Sequence, residues 1–432
     1  MSNIYLLFGK DNFGVIEISK FIVKHSPHLC GTVEISGSKN SALPVMAACI
    51  MTGSEVCLKN VPDISDIADM ESLLKFLGCK CSFCGGVMCI DSSCVKSVPT
   101  PYEISSRLRA SFLVAGPLLA LFGKARISLP GGCSIGQRPV DLHVRGFETL
   151  GAVSEHGNGY VSLAADALTG AEIYLDFPSV GATQNLMMAA CLAKGQTVIS
   201  NAAAEPEIAD LGEFLNKCGA KIHGAGTDTV IIDGTEKLHG CEHEIISDRI
   251  EAGTFMAAVA ATHGRAQIKN VTPAHVKPIT AKLSEMGVEF AEEINSVTVD
   301  ARNKICGVSV RTMPYPGFPT DMQSQLTALL CTCEGTSSVT ETVFENRFAY
   351  AGELVRMNAK IRIDGRCAVI DGVGELCGAK VSAADLRGGA ALIIAALGAQ
   401  GTTEIENAHF VRRGYDGIEN KLKNIGADIY TE

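Results

Sequence analysis

The chain has 432 residues, of which 47% are hydrophobic and 19% charged, with a formal net charge of −10. That is apolar material for two or three cores, and the acidic balance excludes a general nucleic-acid-binding surface, which needs a basic face. Its 17 cysteines are too sparse for a disulfide scaffold and odd in number, so they are expected as reduced thiols in a cytoplasmic protein.

In chain order, Met1 to Lys20 read as an extension. Lys10, Asp11 and Glu17 interrupt the apolar core a signal peptide would need. Elsewhere no apolar run reaches about 18 residues, so no membrane span is expected. ISGSKNSALP follows, from Ile35 to Pro44. A strand ends at Gly37, a buried helix begins, and Ser38 or Asn40 is the expected N-cap. Lys39 beside the free N–H groups of a helix start makes an anion site. Locally, an ordinary cap with a solvated lysine fits as well.

A repeat organises the rest. Gly53, Gly123, Gly195, Gly264, Gly335 and Gly401 each precede an alternating apolar/polar run, at a spacing of about 70 residues. Helical runs rich in Ala, Leu and Met precede most of these glycines, as in SALPVMAACIM and GGAALIIAALGA. They are apolar nearly all round, so they are expected to be buried. The unit reads strand, helix, strand, helix, strand. One hairpin, CKCSFCGGVMCIDS, turns at Gly85-Gly86 and carries Cys79, Cys81, Cys84, Cys89 and, just beyond, Cys94. Cys81-x-x-Cys84 is half of a zinc pattern without a second half, so a structural hairpin and no metal are expected.

Next come the residues with chemical potential. Arg109 opens a helix in SSRLRASF. LPGGCSIGQRPVDLH, from Leu129 to His143, joins flexible glycines, one thiol (Cys133) and one guanidinium (Arg138) on a single loop. That combination suits a lid carrying a reactive group to an anion, and it equally describes a surface loop with an incidental cysteine. Ser179, Val180 and Gly181 form a loop-to-helix junction whose backbone N–H groups suit a diphosphate, and Glu205 lies in AEPEIAD. Asp321 in GFPTDMQSQ is expected at a helix start. Arg347, Arg387 and Arg413 recur at comparable unit positions, and arginine grips phosphate and carboxylate bidentately.

GGCSIGQRPVDLH, with the stretches around Lys39, Ser179, Asp321 and Arg387, resembles the enolpyruvyl transferases, over nearly the whole chain from Phe21. The cysteine loop is the specific part, since the shikimate-pathway branch lacks it. His25-Ser26 and Leu113 depart from the family pattern, which has a Gly-rich start and, in some members, an aromatic residue there. The resemblance implies an α/β fold: a two-domain inside-out α/β barrel of six βαβαββ-type repeats, with the active site in the inter-domain cleft. One domain would be 40–246 and carry the Cys133 loop; the other would be 1–39 plus 247–432.

It further implies enolpyruvyl transfer from phosphoenolpyruvate to the 3-hydroxyl of UDP-N-acetylglucosamine, with no cofactor. Phosphoenolpyruvate would be held by Lys39, Asn40, Arg138, Arg387 and Arg413. The sugar nucleotide would meet Asn40, Arg109, Arg138, Pro139, Val140, Asp141, Leu142, Ser179, Val180, Gly181, Asp321 and Val343. Cys133 is implied as the acid, Asp321 as the base, and Lys39 as catalytic. Transfer to shikimate 3-phosphate and non-catalytic binding of a UDP-sugar stay open as alternatives.

Overall fold

The computed structural model describes residues 19–129 and 140–432. Each repeat glycine is followed at once or within two residues by a five-residue strand: Glu55–Lys59, Lys124–Ser128, Gln196–Ser200, Arg265–Lys269, Thr336–Thr340 and Thr402–Glu406. Alternation decides their burial. In Glu55–Lys59, Val56 and Leu58 point inward while Glu55 and Lys59 face water. Each of the six lies in a different small sheet, and each pairs antiparallel with one neighbour.

The runs of Ala, Leu and Met form the helices Lys39–Ala48, Ala115–Phe122, Val180–Ala190, Arg249–Ala261, Gln323–Leu330 and Leu386–Gly398. They are buried on nearly every face, as their composition requires. The last three pack on one another. Ala115–Phe122 packs on Val180–Ala190 and on the 3-10 turn Cys49–Thr52 that ends the first helix.

Buried apolar side chains fall into two clusters. One runs from Ala42 to Ile245; the other joins Phe21–Ile35 to Ile250–Ile429. The chain passes between them twice, side by side. Gly37 bridges Ser247, the Ser38 N–H donates to the Ile246 carbonyl at 2.7 Å, and the Asp248 N–H donates to the Ser36 carbonyl at 2.9 Å. Gly37 has no alternative here, because a Cβ would sit 1.7 Å from the Asn60 carbonyl oxygen. No helix among the described residues is long and apolar enough to cross a membrane.

Candidate active site

The two crossings bring the start of one buried helix to the start of another. Ser38 takes the cap position of Lys39–Ala48, but its side chain makes no cap bond and its hydroxyl is buried without a partner among the described residues. The expected Ser38 or Asn40 cap is replaced from afar: Asp248 accepts the Lys39 N–H at 3.3 Å through one oxygen. Through the other it caps its own helix, at the N–H groups of Ile250 and Glu251. One carboxylate thus orders both helix starts, leaving Lys39 and Asn40 on the first turn with half-buried side chains.

Lys39 is clamped by Asp66, at 2.7 Å from Nζ to Oδ2. The other oxygen of Asp66 accepts from Arg413 Nε at 2.9 Å, and Arg413 also donates to the Arg107 carbonyl at 3.2 Å. Burial pulls the Lys39 ammonium below its usual range and Arg387 and Arg413 repel it further, against the pull of Asp66. Burial works to raise Asp66, but Lys39 and Arg413 together hold it below the ordinary carboxylate range. So one carboxylate, 4% exposed, is the shared counter-ion of two cations that approach it from different stretches of the chain.

Asp321 forms the second node. It lies in the 3-10 turn Thr320–Met322 that leads into Gln323–Leu330. Its two oxygens accept from Arg347 Nη2 at 2.9 Å and Arg387 Nη2 at 3.0 Å. Arg387 sits in the first turn of Leu386–Gly398, under the Asp385 cap, with its guanidinium over the Tyr415 ring at 5.4 Å. Burial disfavours its charge, yet Tyr415, Asp321 and Asp248 hold it charged, well above its ordinary range. Among the described residues, Arg387 Nη1 and Arg347 Nε are buried without partners, donors left over for a ligand. Val343 lies on a loop shaped by buried Glu341, which accepts from the Val343 and Phe344 N–H groups and from the Thr312 and Thr320 hydroxyls.

A third patch flanks Asp321. Arg249 feels the field of Asp321 and pairs with buried Glu207 at 3.0 Å. Glu205, at the cap of Pro206–Lys217, accepts the Tyr315 N–H at 3.4 Å through one oxygen, and its other oxygen is buried without a partner among the described residues. Burial raises its pKa.

The expected sugar-nucleotide residues gather elsewhere. Val140 occupies the cap of the Asp141–Thr149 helix, so Asp141 and Leu142 are in its first turn. Ser179 caps Val180–Ala190, its hydroxyl accepting from the Ala182 N–H at 3.4 Å, and Val180 and Gly181 open that helix. Gly181 approaches the imidazole of His143, where a Cβ would meet Cε1 at 3.2 Å. The Asn185 side-chain amide donates to His143 Nδ1 at 3.0 Å, while burial and then Arg109 push the imidazole down to about 3. Arg109 begins the 3-10 turn Arg109–Val114. Cys133, Arg138 and Pro139 lie outside the described residues.

The structure therefore brings Lys39, Arg387, Arg413 and Asp321 together, and Arg109 and Gly181 around His143, near the start of the helix that Asp141 opens. Reasoning from sequence missed Asp66, Asp248, Glu207, Arg249 and Glu341. A signal existed for Asp66, an acid between the buried Ile64 and Ile67 where a half-buried helix should carry an apolar residue.

Comparison with known proteins adds to this geometry. The family described as EPSP synthase (3-phosphoshikimate 1-carboxyvinyltransferase) matches residues 23–422. The chain belongs to the enolpyruvyl transferase family. Among curated members, the UDP-N-acetylglucosamine 1-carboxyvinyltransferase 1 of Caldanaerobacter subterraneus is 53% identical over 95% of this chain and 99% of its own length. The enzyme named UDP-N-acetylglucosamine 1-carboxyvinyltransferase 2 in Carboxydothermus hydrogenoformans is 52% identical over 95% and 99%. The crystal structure of the enolpyruvyl transferase NikO from Streptomyces tendae is 26% identical, covers 96% of this chain and 99% of its own, and superposes with a TM-score of 0.86. EPSP synthase from Acinetobacter baumannii, 16% identical with a TM-score of 0.76 over 96% and 100%, shares the fold.

Proposed function

We propose that this enolpyruvyl transferase moves the enolpyruvyl group of phosphoenolpyruvate to the 3-hydroxyl of UDP-N-acetylglucosamine, releasing phosphate, as the committed step of peptidoglycan precursor synthesis. The observation that carries the reading is the meeting of Lys39 and Arg387, at helix starts, with Arg413, at the end of the 3-10 turn Ala408–Arg413, around two carboxylates, a set that suits a ligand bearing both phosphate and carboxylate. The names of relatives at 50–53% identity favour the sugar nucleotide over shikimate 3-phosphate.

In this reading, 40–246 and 1–39 plus 247–432 are two domains of an inside-out α/β barrel with six βαβαββ-type repeats, and the substrates enter the cleft between them. Phosphoenolpyruvate takes over the cations that Asp66 and Asp321 hold, binding to Lys39, Asn40, Arg138, Arg387 and Arg413. Freed of Arg387, Asp321 accepts the proton of the sugar 3-hydroxyl as that oxygen attacks C2. Cys133 delivers a proton to C3, giving a tetrahedral ketal with the phosphate still attached. Loss of a proton and of phosphate then yields the enol ether. Charge that develops on the phosphate and carboxylate is met by fixed cations, with little reorganisation. Arg109, Pro139 to Leu142, Ser179 to Gly181 and Val343 line the sugar-nucleotide side.

The direct test is product identity. Incubation with both substrates should give a UDP-sugar enol ether, seen by mass spectrometry as one enolpyruvyl group added. Recovery of unmodified UDP-N-acetylglucosamine with intact phosphoenolpyruvate would favour a binding protein.

A further inference from the structure

Five cysteines lie on or beside the hairpin Lys80–Cys84 and Val87–Asp91, and the proposed chemistry uses none of them. Within the hairpin they do not face one another. Cys81 is opposite Ile90, Cys84 opposite Val87 and Cys89 opposite Ser82. The side chain that does face a hairpin cysteine comes from the strand on the other side. Cys57 of Glu55–Lys59 is directly opposite Cys89, with the two sulfurs 3.7 Å apart.

Backbone geometry makes this pairing special. The Cys57 N–H donates to the Cys241 carbonyl at 3.1 Å, on the side of Glu242–Glu244 and away from Val87–Asp91. Cys57 and Cys89 therefore form a non-hydrogen-bonded antiparallel pair, in which Cα atoms approach to about 4.5 Å and side chains lean together. That spacing lies inside the range a disulfide accepts, roughly 4.4–6.8 Å. Alternation places both thiols on the outer face of the sheet, and both are half-buried, open to a small reagent. A second close pair, Cys218 and Cys241 at 3.4 Å, lacks this access, because Cys218 is fully buried.

We propose that Cys57 and Cys89 are a redox-convertible dithiol that closes to a cross-strand disulfide on meeting a low-molecular-weight disulfide. One thiolate attacks a sulfur of the small disulfide, forming a mixed disulfide and releasing one small thiolate. The second protein thiolate attacks the mixed disulfide at the protein sulfur, forming the Cys57–Cys89 bond and releasing the other. The two protons leave with the released thiols; the protein loses two electrons and the small disulfide gains them. The staple ties the hairpin to the strand on which Glu242–Glu244 docks, just before the chain crosses at Ile246.

The test uses the full chain with oxidised glutathione at pH 8, followed by alkylation of free thiols and non-reducing peptide mapping. A peptide joined through Cys57 and Cys89, released by dithiothreitol, is expected. The loop closed is about 30 residues, so for a unit of roughly 200 residues the melting midpoint should rise by roughly 7–15 °C on oxidation, and Cys57→Ser and Cys89→Ser should each abolish the rise. Recovery of Cys57 and Cys89 only as separate glutathione adducts, Cys89 joined to Cys81, Cys84 or Cys94, or a rise that persists in both variants would overturn the proposal.

Discussion

Asp66→Asn tests the pairing that holds Lys39 and Arg413. The substitution keeps shape but removes the one negative charge between Lys39 Nζ at 2.7 Å and Arg413 Nε at 2.9 Å. Breaking a buried ion pair by removing one partner costs about 3–5 kcal/mol. Arg413 is 35% exposed and recovers part of its hydration, so the lower end, about 3 kcal/mol, is expected. For a unit of roughly 200 residues that is a fall in melting midpoint of roughly 6–12 °C. An added anion should take the place of the lost carboxylate. Inorganic phosphate at 100 times its Kd contributes about 2.7 kcal/mol, close to the whole deficit. Thermal melts of wild type and variant, with and without phosphate, read both effects. The variant should melt well below wild type alone and recover most of the gap in phosphate, binding the anion more tightly than wild type does. A variant that melts within a degree of wild type, or equal phosphate shifts in both proteins, would refute the shared counter-ion.

Other outcomes follow from the same contacts. Arg387→Ala should raise the phosphoenolpyruvate KM far more than that for UDP-N-acetylglucosamine; equal increases in steady-state assays would take Arg387 out of the anion site. His143 is pushed down to about 3, so it stays neutral in the fold while the unfolded chain gains a proton as pH drops below about 6.5. The stability it contributes is complete above that pH and is lost toward pH 3, at about 1.4 kcal/mol per pH unit in between. His143→Gln should flatten this part of the stability–pH profile, and an unchanged slope in urea titrations would count against it. Glu207→Gln should destabilise by about 3 kcal/mol or more by stranding buried Arg249, and adding Arg249→Gln should cost less than the two single changes together. Cys133→Asp should turn over and resist a small anionic epoxide such as fosfomycin, while Cys133→Ser should turn over very poorly; a fully active Ser variant would reduce the loop to a lid.

The strands after the six glycines and the buried Ala-rich helices were legible because alternation and all-round apolarity are local signals. Lys39, Asp321 and Arg387 were legible as helix-start residues for the same reason. Their partners were not. Lys39 meets Asp66 and Asp248, Asp321 meets Arg347 and Arg387, and Asp66 meets Arg413 across 347 positions. Tertiary packing brings such stretches together, and for Lys39 with Asp248 the two crossings do so; no local pattern announces which acid will face which base. Ser38 illustrates the limit: its residue type and place predict a cap, yet a distant aspartate does the capping. The hairpin cysteines show the same limit, since Cys89 finds its neighbour on another strand and not in the motif beside it.

Phosphate release from phosphoenolpyruvate, followed continuously with UDP-N-acetylglucosamine, with shikimate 3-phosphate and with neither acceptor, tests the central reading most directly. Release that depends on UDP-N-acetylglucosamine, and stays at background in the other two reactions, is the predicted result. Release driven by shikimate 3-phosphate, or none with either acceptor, would contradict it.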